Sequence, residues 1–217
     1  MPQAVIFDMD GVLMDSEQLW NQSKQEVVRD VGGHWREDAP RAMMGMSSPE
    51  WSRYMHDELG IPLEDKEINQ AVVERMEQHY REHLPLLPGA VELVRGLRRR
   101  WPLALASSAN REIIDFALDA AGLAGDFRAT VSSEEVERGK PAPDVYLEAA
   151  RRLDVPPDGC VAIEDSSNGM RSAAAAGMAV IALPNPHYPP DDDALALAGA
   201  CVHMLAEITP ALVERLR

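Results

Sequence analysis

AVIFDMDGVLMDSE, residues 4–17, carries an unbroken apolar run that ends abruptly in acid. The first four residues are continuous rather than alternating, the pattern of a strand buried on both faces, as in a parallel sheet. Asp8 follows at once, Asp10 two residues later, and Gly11 directly after. A turn needs one Asp or Asn at most. Two carboxylates at the end of a core strand therefore pose a choice: an acidic turn, or a pair of acids holding something between them.

The segments on either side say what kind of sheet this strand joins. A helix is expected over 16–31, with Ser16 as its N-cap and Leu19, Trp20, Ser23, Val27 and Val31 at helical spacing. Gly32 and Gly33 stop it, and further helices are expected over 49–59 and 64–83. In the last of these, Ile68, Val72, Met76 and Tyr80 recur every four residues. Pro85 and Pro88 then reset the pattern. Helices over 89–100, 110–121, 142–153 and 168–176 alternate with strands over 102–108, 128–133, 160–166 and 178–183. Strand–helix alternation of this kind implies an α/β fold: a Rossmann-like parallel sheet core with an inserted all-helical cap directly after the first strand. The core comprises 1–15 and 85–217, and the cap 16–84. The proline-rich, acidic loop 184–193 reads as an ordinary surface connection.

Composition excludes several partner classes. The chain has 217 residues, 46% hydrophobic and 26% charged, enough for a sizeable core with a modest insertion. Its net charge of −15 argues against nucleic acid or an anionic membrane, which draw on clustered Lys and Arg. Cys160 and Cys201 lie far apart, each beside a valine, and read as free thiols in strands of a protein from a reducing compartment. No basic segment precedes a long apolar one at the N-terminus, so a cytoplasmic protein is expected, monomeric by default.

In open parallel α/β sheets, ligands sit at the carboxyl ends of the strands. Asp8 and Asp10, Ser107, and Glu164 with Asp165 all fall at such ends, so distant parts of the chain converge on one crevice. Carboxylates gathered in one place repel unless a cation sits among them. A hard, oxygen-seeking ion is the expected occupant, and Mg2+ suits best because it leaves positions for water and a phosphate oxygen. Lys140, between Gly139 and Pro141, supplies a cation for a phosphoryl dianion. Ser107 offers a hydroxyl, and the SSAN turn (107–110), with Ser108, opens a helix that favours anions. With phosphorus held this way, one carboxylate attacks it and forms an aspartyl phosphate. A second gives a proton to the leaving oxygen and later takes one from water.

DMDGVLMDSE (8–17), ASSAN (106–110), GKPAPDVY (139–146) and IEDSSNGM (163–170), in that order, resemble the four motifs of the haloacid dehalogenase-like superfamily. More closely they resemble its β-phosphoglucomutase and sugar-phosphatase branch, over nearly the whole chain to about residue 184. The resemblance implies a five-stranded parallel core with a four-helix cap. It makes Asp8 the nucleophile, Asp10 the general acid/base, and Ser107 and Lys140 the phosphoryl ligands. Mg2+ is then held by Asp8, the backbone carbonyl of Asp10, and Asp165, with Glu164 as a ligand or a carboxylate just behind the ligands.

The cap separates two activities within that branch. β-Phosphoglucomutases carry a histidine near the position of Trp20 and a cap-loop arginine that grips a second phosphate. Here the loop reads MGMSSPEW (44–51), and Ser48 stands at the arginine position. DSEQLW (15–20) instead resembles the DSExLW of 2-deoxyglucose-6-phosphate and related sugar phosphatases. Hydrolysis of a small phosphorylated metabolite, a sugar or polyol phosphate, is the expected activity; a phosphosugar mutase is the alternative. Glu17, Trp20 and Ser48 are the candidates for substrate contact, whereas Arg53 and Lys66 read as solvated surface. HYREH (79–83) matches a zinc-hydrolase pattern, but no partner helix supplies the acidic ligand, and an exposed polar helix end is expected. A non-catalytic binding module is the remaining reading; such a module would lack an acid or the lysine, and neither is missing here. Cap closure would hinge near 14–17 and 81–86, where the chain crosses twice between cap and core.

Overall fold

Ala4–Phe7 forms strand β1, with every residue buried. In this computed structural model, which describes residues 1–43 and 46–216, the chain next leaves the sheet for four helices. These are α1 (Glu17–Asp30), α2 (Ala39–Met43), α3 (Ser48–Asp57) and α4 (Asp65–Glu82). It returns through α5 (Ala90–Arg98), β2 (Leu103–Ser107), α6 (Arg111–Ala120), β3 (Ala129–Ser132), α7 (Asp144–Leu153) and β4 (Cys160–Glu164). The remainder adds α8 (Ser167–Ala175), β5 (Ala179–Ala182), α9 (Asp192–Leu195), β6 (Ala200–Cys201) and α10 (Pro210–Arg215).

All six strands are parallel, in the order β3-β2-β1-β4-β5-β6. The chain builds outward from β1 on one side, then crosses back to place β4 on the other. The strand order therefore reverses at β1, and a crevice opens at the carboxyl ends of β1, β2 and β4. Parallel strands need helices on both faces, and the side chains divide accordingly. Val5, Phe7, Leu103, Leu105, Val161 and Ile163 face the layer holding α5 and α6. Ala4, Ile6, Ala104, Ala106 and Ala162 face α7 and α8, where mostly small side chains let the helices approach closely.

The expected elements are present, with ends shifted by one or two residues. The helix expected from residue 142 starts at Asp144, directly after Pro143, which disfavours helical backbone at the preceding Ala142. The strand expected to reach 166 ends at Glu164, which frees Asp165 to leave the sheet. The resemblance implied five strands; the structure adds a sixth, β6, only two residues long. That strand, α9 and α10 are too short for a periodic signal, and so is α2, which sequence periodicity did not reveal. The two chain crossings are tied to each other: the Asp15 N–H donates to Pro85 O (2.7 Å) and the Leu87 N–H to Leu13 O (2.9 Å). Met14 and Leu86 pair between them as an antiparallel bridge.

Candidate active site

The peptide after β1 folds into a tight turn that sets both aspartates. The Leu13 and Met14 N–H groups donate to Met9 O, and the Gly11 N–H donates to Met14 O (2.7 Å). Gly11 has φ +78°, and a Cβ there would overlap the Asp165 carboxylate. Only glycine combines that backbone with that approach. Asp8 is thereby left at the end of the strand, buried, and Asp10 at the edge of a cavity between the sheet and the inserted helices.

Lys140 lies under Asp8. Its Nζ donates to Asp8 Oδ1 (2.8 Å), to Glu164 Oε1 (2.6 Å) and to Ala106 O (3.1 Å). Burial acts against the charge of Lys140, but the Asp8 and Glu164 carboxylates outweigh it and hold its pKa above the usual lysine value. Glu164 has no spare acceptor capacity: Oε1 also accepts from the Tyr146 hydroxyl (2.6 Å), and Oε2 from the Asp165 N–H (3.2 Å) and Ser166 Oγ (3.3 Å). It positions Lys140, while Asp8 and Asp165 face the cavity. A Cβ at Gly169, in the first turn of α8, would collide with the Glu164 carboxylate.

Asp8, Glu164 and Asp165 each bring a carboxylate oxygen within 4.8 Å of the others, all buried. Burial, with Glu164 and Asp10 adding like charge against the pull of Lys140, pushes the pKa of Asp8 up to about 8. Burial likewise holds Asp165 well above the usual carboxylate range, with Asp8 and Glu164 adding to it. Ionised together, the three carboxylates against one ammonium would leave two uncompensated negative charges, and the raised pKa values of Asp8 and Asp165 express that repulsion on top of burial. An all-oxygen donor set short of two positive charges fits a hard divalent cation, magnesium among them. HYREH brings no comparable cluster together among the described residues: His79 Nε2 stands 3.7 Å from Glu26, and His83 is exposed. The segment is less exposed than its composition suggests, since Tyr80 is buried against Phe116.

Asp10 has different neighbours. Ser16 Oγ donates to its Oδ1, as does the Trp20 indole N–H (3.0 Å). The Ser16 side chain thus serves Asp10 and not the first turn of α1, for which it makes no capping bond. Burial raises the pKa of Asp10, and the Ser16 and Trp20 hydrogen bonds act against that rise. Trp20 and Glu17 both line the cavity, as expected of substrate-contact candidates. Ser48 does not: it is buried and donates to Asn110 Oδ1 (3.0 Å), while the Asn110 amide donates to Asn69 (2.8 Å). Asn110, preceding α6, therefore ties both α3 and α4 to the sheet layer. Met44 and Gly45 of the MGMSSPEW loop lie outside the described residues.

The two serines at the end of β2 and just beyond it divide differently from expectation. Ser107 is fully buried, and its Oγ accepts from the Ala109 N–H (3.0 Å). Ser108 lines the cavity, with a buried hydroxyl that has no partner. Arg53 and Lys66 are exposed, away from it. The loop 184–193 does more than connect: the Tyr188 hydroxyl accepts from the Asn21 amide of α1 (3.0 Å). Sequence reasoning also missed Lys24, which is buried, lines the cavity and lies between Trp20 and Trp51. A signal was present: Lys24 interrupts the apolar stripe of α1, one turn beyond Trp20.

The haloacid dehalogenase-like hydrolase family model matches residues 2–177, a span that contains every one of these acids and Lys140. The chain belongs to the haloacid dehalogenase-like hydrolases. Hexitol phosphatase B of Escherichia coli O157:H7 is 34% identical over 95% of this chain and 94% of its own length. The phosphorylated carbohydrates phosphatase of Thermotoga maritima is 35% identical, over 81% and 82% respectively. Among solved structures, CbbY from Rhodobacter sphaeroides in complex with phosphate superposes with a TM-score of 0.89 at 29% identity, over 99% of this chain and 100% of that one. The same protein is also known, in mutant form, with xylulose-(1,5)bisphosphate, at a TM-score of 0.87. This haloacid dehalogenase-like hydrolase shares its fold with the CbbY structures, and no described helix is long and apolar enough to cross a membrane.

Proposed function

We propose that the protein is a magnesium-dependent phosphatase that hydrolyses a small phosphorylated sugar or polyol through an aspartyl-phosphate intermediate on Asp8. One observation carries this reading: Asp8, buried on Lys140 and beside Asp165, stands two residues from an acid with a separate set of hydrogen-bond partners. Asp8 and Asp165, with the Asp10 backbone carbonyl, would hold Mg2+, which neutralises charge on the phosphoryl oxygens when bound. Lys140 binds the phosphoryl group from below, with the unpartnered Ser108 hydroxyl donating from just beyond β2. Asp8 attacks phosphorus, and the bond to the leaving oxygen breaks as Asp10 donates its proton there. Asp10, now ionised and held by Ser16 and Trp20, takes a proton from the water that attacks the acyl phosphate. Inorganic phosphate leaves and Asp8 is regenerated.

The hexitol and carbohydrate phosphatases among the relatives support a polyol or sugar as the leaving group. Ser48 at the position of the mutase arginine, turned to Asn110, favours water over a second sugar phosphate as the acceptor. Residues 16–84 act as a cap on the core formed by 1–15 and 85–217, hinged at the paired crossings, and Asn110 and Tyr188 hold it closed. Free thiols at Cys160 and Cys201 accord with a cytoplasmic setting. The test is turnover of a panel of phosphorylated metabolites with and without magnesium, the panel including a hexose 1-phosphate with its bisphosphate. Magnesium-dependent phosphate release that is abolished in Asp8→Asn, with the fold intact, is expected. Interconversion of hexose phosphates without phosphate release would favour the mutase, and release unchanged in Asp8→Asn would overturn the covalent mechanism.

A further inference from the structure

Lys24 is the one buried charge at the cavity that the proposed chemistry leaves unused. It is 6% exposed, and its Nζ stands 5.7 Å from the Trp20 ring centroid and 5.1 Å from that of Trp51. Among the described residues no carboxylate lies within 4.0 Å of it and no hydrogen bond reaches it. An ammonium has three donors and no acceptor, and burying it with its donors unpaired is costly. Two indole faces recover only part of that cost. Burial accordingly pulls its pKa down to about 8, opposed by Glu17 and Asp10. Lys24 lines the cavity, so its donors can be met by an acceptor oxygen that enters there.

The face of α1 says what kind of oxygen. Glu17, Trp20, Asn21 and Lys24 all line the cavity, at spacings of three, one and three residues along one helix. Trp20 reaches Asp10, which marks the position of the leaving oxygen in the proposed reaction. Glu17 and Lys24 lie on either side of it, seven residues and about 10 Å apart along the axis. Their opposite charges sum to zero, so the wall is polar but carries no net charge. A second phosphate or carboxylate on the leaving group would gain Lys24 but meet Glu17 as well.

Resting on the phosphatase reading above, we infer that Lys24 is a specificity residue. Its ammonium donates to a hydroxyl oxygen of the leaving alcohol while the Glu17 carboxylate accepts from another, so the site selects uncharged polyhydroxy phosphates over those bearing a second anionic group. The apolar sides of the chain of carbons lie against Trp20 and Trp51. No covalent step is added; the pair acts on binding and orientation.

The test compares glucitol 6-phosphate, gluconate 6-phosphate and para-nitrophenyl phosphate in the wild type, Lys24→Met and Glu17→Gln, with melting temperatures as a check on folding. The wild type should prefer glucitol 6-phosphate to gluconate 6-phosphate. A hydrogen bond to a charged group is worth about 1.5–3 kcal/mol, so Lys24→Met should lower kcat/KM for glucitol 6-phosphate about 10- to 150-fold, mostly through KM. The loss on para-nitrophenyl phosphate, which offers no hydroxyl, should be much smaller, and Lys24→Arg should recover part of the polyol activity. Glu17→Gln should narrow the preference against gluconate 6-phosphate. Equal losses on both the polyol and the nitrophenyl ester would make Lys24 a support for the two tryptophans and overturn the inference. A larger loss on gluconate 6-phosphate would make it an anion anchor and overturn it too. If the wild type releases phosphate from none of the three esters, the phosphatase reading itself falls, an outcome distinct from either.

Discussion

Replacing Gly169 by alanine should destabilise the protein, although the usual effect of that change in a helix has the opposite sign. Alanine in place of a helical glycine ordinarily gains about 0.5–1 kcal/mol, because glycine loses more backbone freedom on folding. At Gly169 the new methyl group would occupy the space of the Glu164 carboxylate. That carboxylate is fully buried and holds both Lys140 (2.6 Å) and the Tyr146 hydroxyl (2.6 Å). Displacing it breaks a buried ion pair while leaving both charges inside, a change that costs about 3–5 kcal/mol. The net effect is a loss of about 2–4 kcal/mol, which for a chain of this size lowers Tm by roughly 4–16 °C. Gly96, inside α5, is the control: a Cβ there meets nothing within 4 Å. Gly96→Ala should raise Tm by roughly 1–4 °C. Thermal unfolding of the two variants, followed by circular dichroism, reads the comparison directly. Gly169→Ala should also lose phosphatase activity, since Lys140 is held by the displaced group. A Gly169→Ala protein that gains stability as Gly96→Ala does would refute the placement of Glu164 beneath the site.

Trp20→Phe keeps an aromatic ring but removes the N–H that Asp10 accepts at 3.0 Å. Its kcat/KM should fall about tenfold through lost orientation of Asp10. That hydrogen bond opposes the rise in the pKa of Asp10 caused by burial, so the alkaline fall in activity should also move to higher pH. An unchanged pH–rate profile would remove Trp20 from the acid/base apparatus. Glu135 supplies an acid-stability prediction: it accepts from the Ser132 N–H (2.9 Å), from Arg152 (2.6 Å) and from Arg111. Burial opposes its ionisation, but those three partners outweigh it and lower its pKa from 4.5 to about 2. The folded pKa lies below the unfolded one, so its contribution is present above the unfolded value and fades as pH falls toward 2. Glu135→Gln should cost roughly 2–4 °C of Tm at neutral pH, the difference vanishing in strong acid. A difference that grows on acidification would contradict the assignment.

The core acids were legible because their chemistry is written in contiguous motifs at strand ends. Asp8 and the pair Glu164 and Asp165 come from distant segments, yet strand–helix alternation places their strand ends on one edge, whereas Lys140 was legible through its GKPAPD loop. The inserted helices were legible as helices and much less so as a binding surface. Ser48 looked available because a motif position carries no direction; packing turned it toward Asn110. Lys24 was overlooked because a lysine in a helix is usually solvated, and only the two tryptophans from different helices reveal that this one is enclosed. Ser16 resembled a cap from its position before α1, but Asp10 competes for the same hydroxyl and wins. The Tyr188 contact with Asn21 was beyond reach for a simpler reason: nothing in a proline-rich loop says which helix it will touch.

Covalent attack by Asp8 is the claim on which the rest depends, and trapping the intermediate tests it most directly. Asp10→Asn with para-nitrophenyl phosphate is the suitable pairing. A good leaving group needs little acid assistance, while the attacking water still needs a base, so the phosphoenzyme should accumulate. Acid quenching, peptic digestion at low pH and mass spectrometry should then find one phosphoryl group on the peptide that contains Asp8. Turnover with no phosphorylated peptide, or a phosphoryl group on any other residue, would contradict the account.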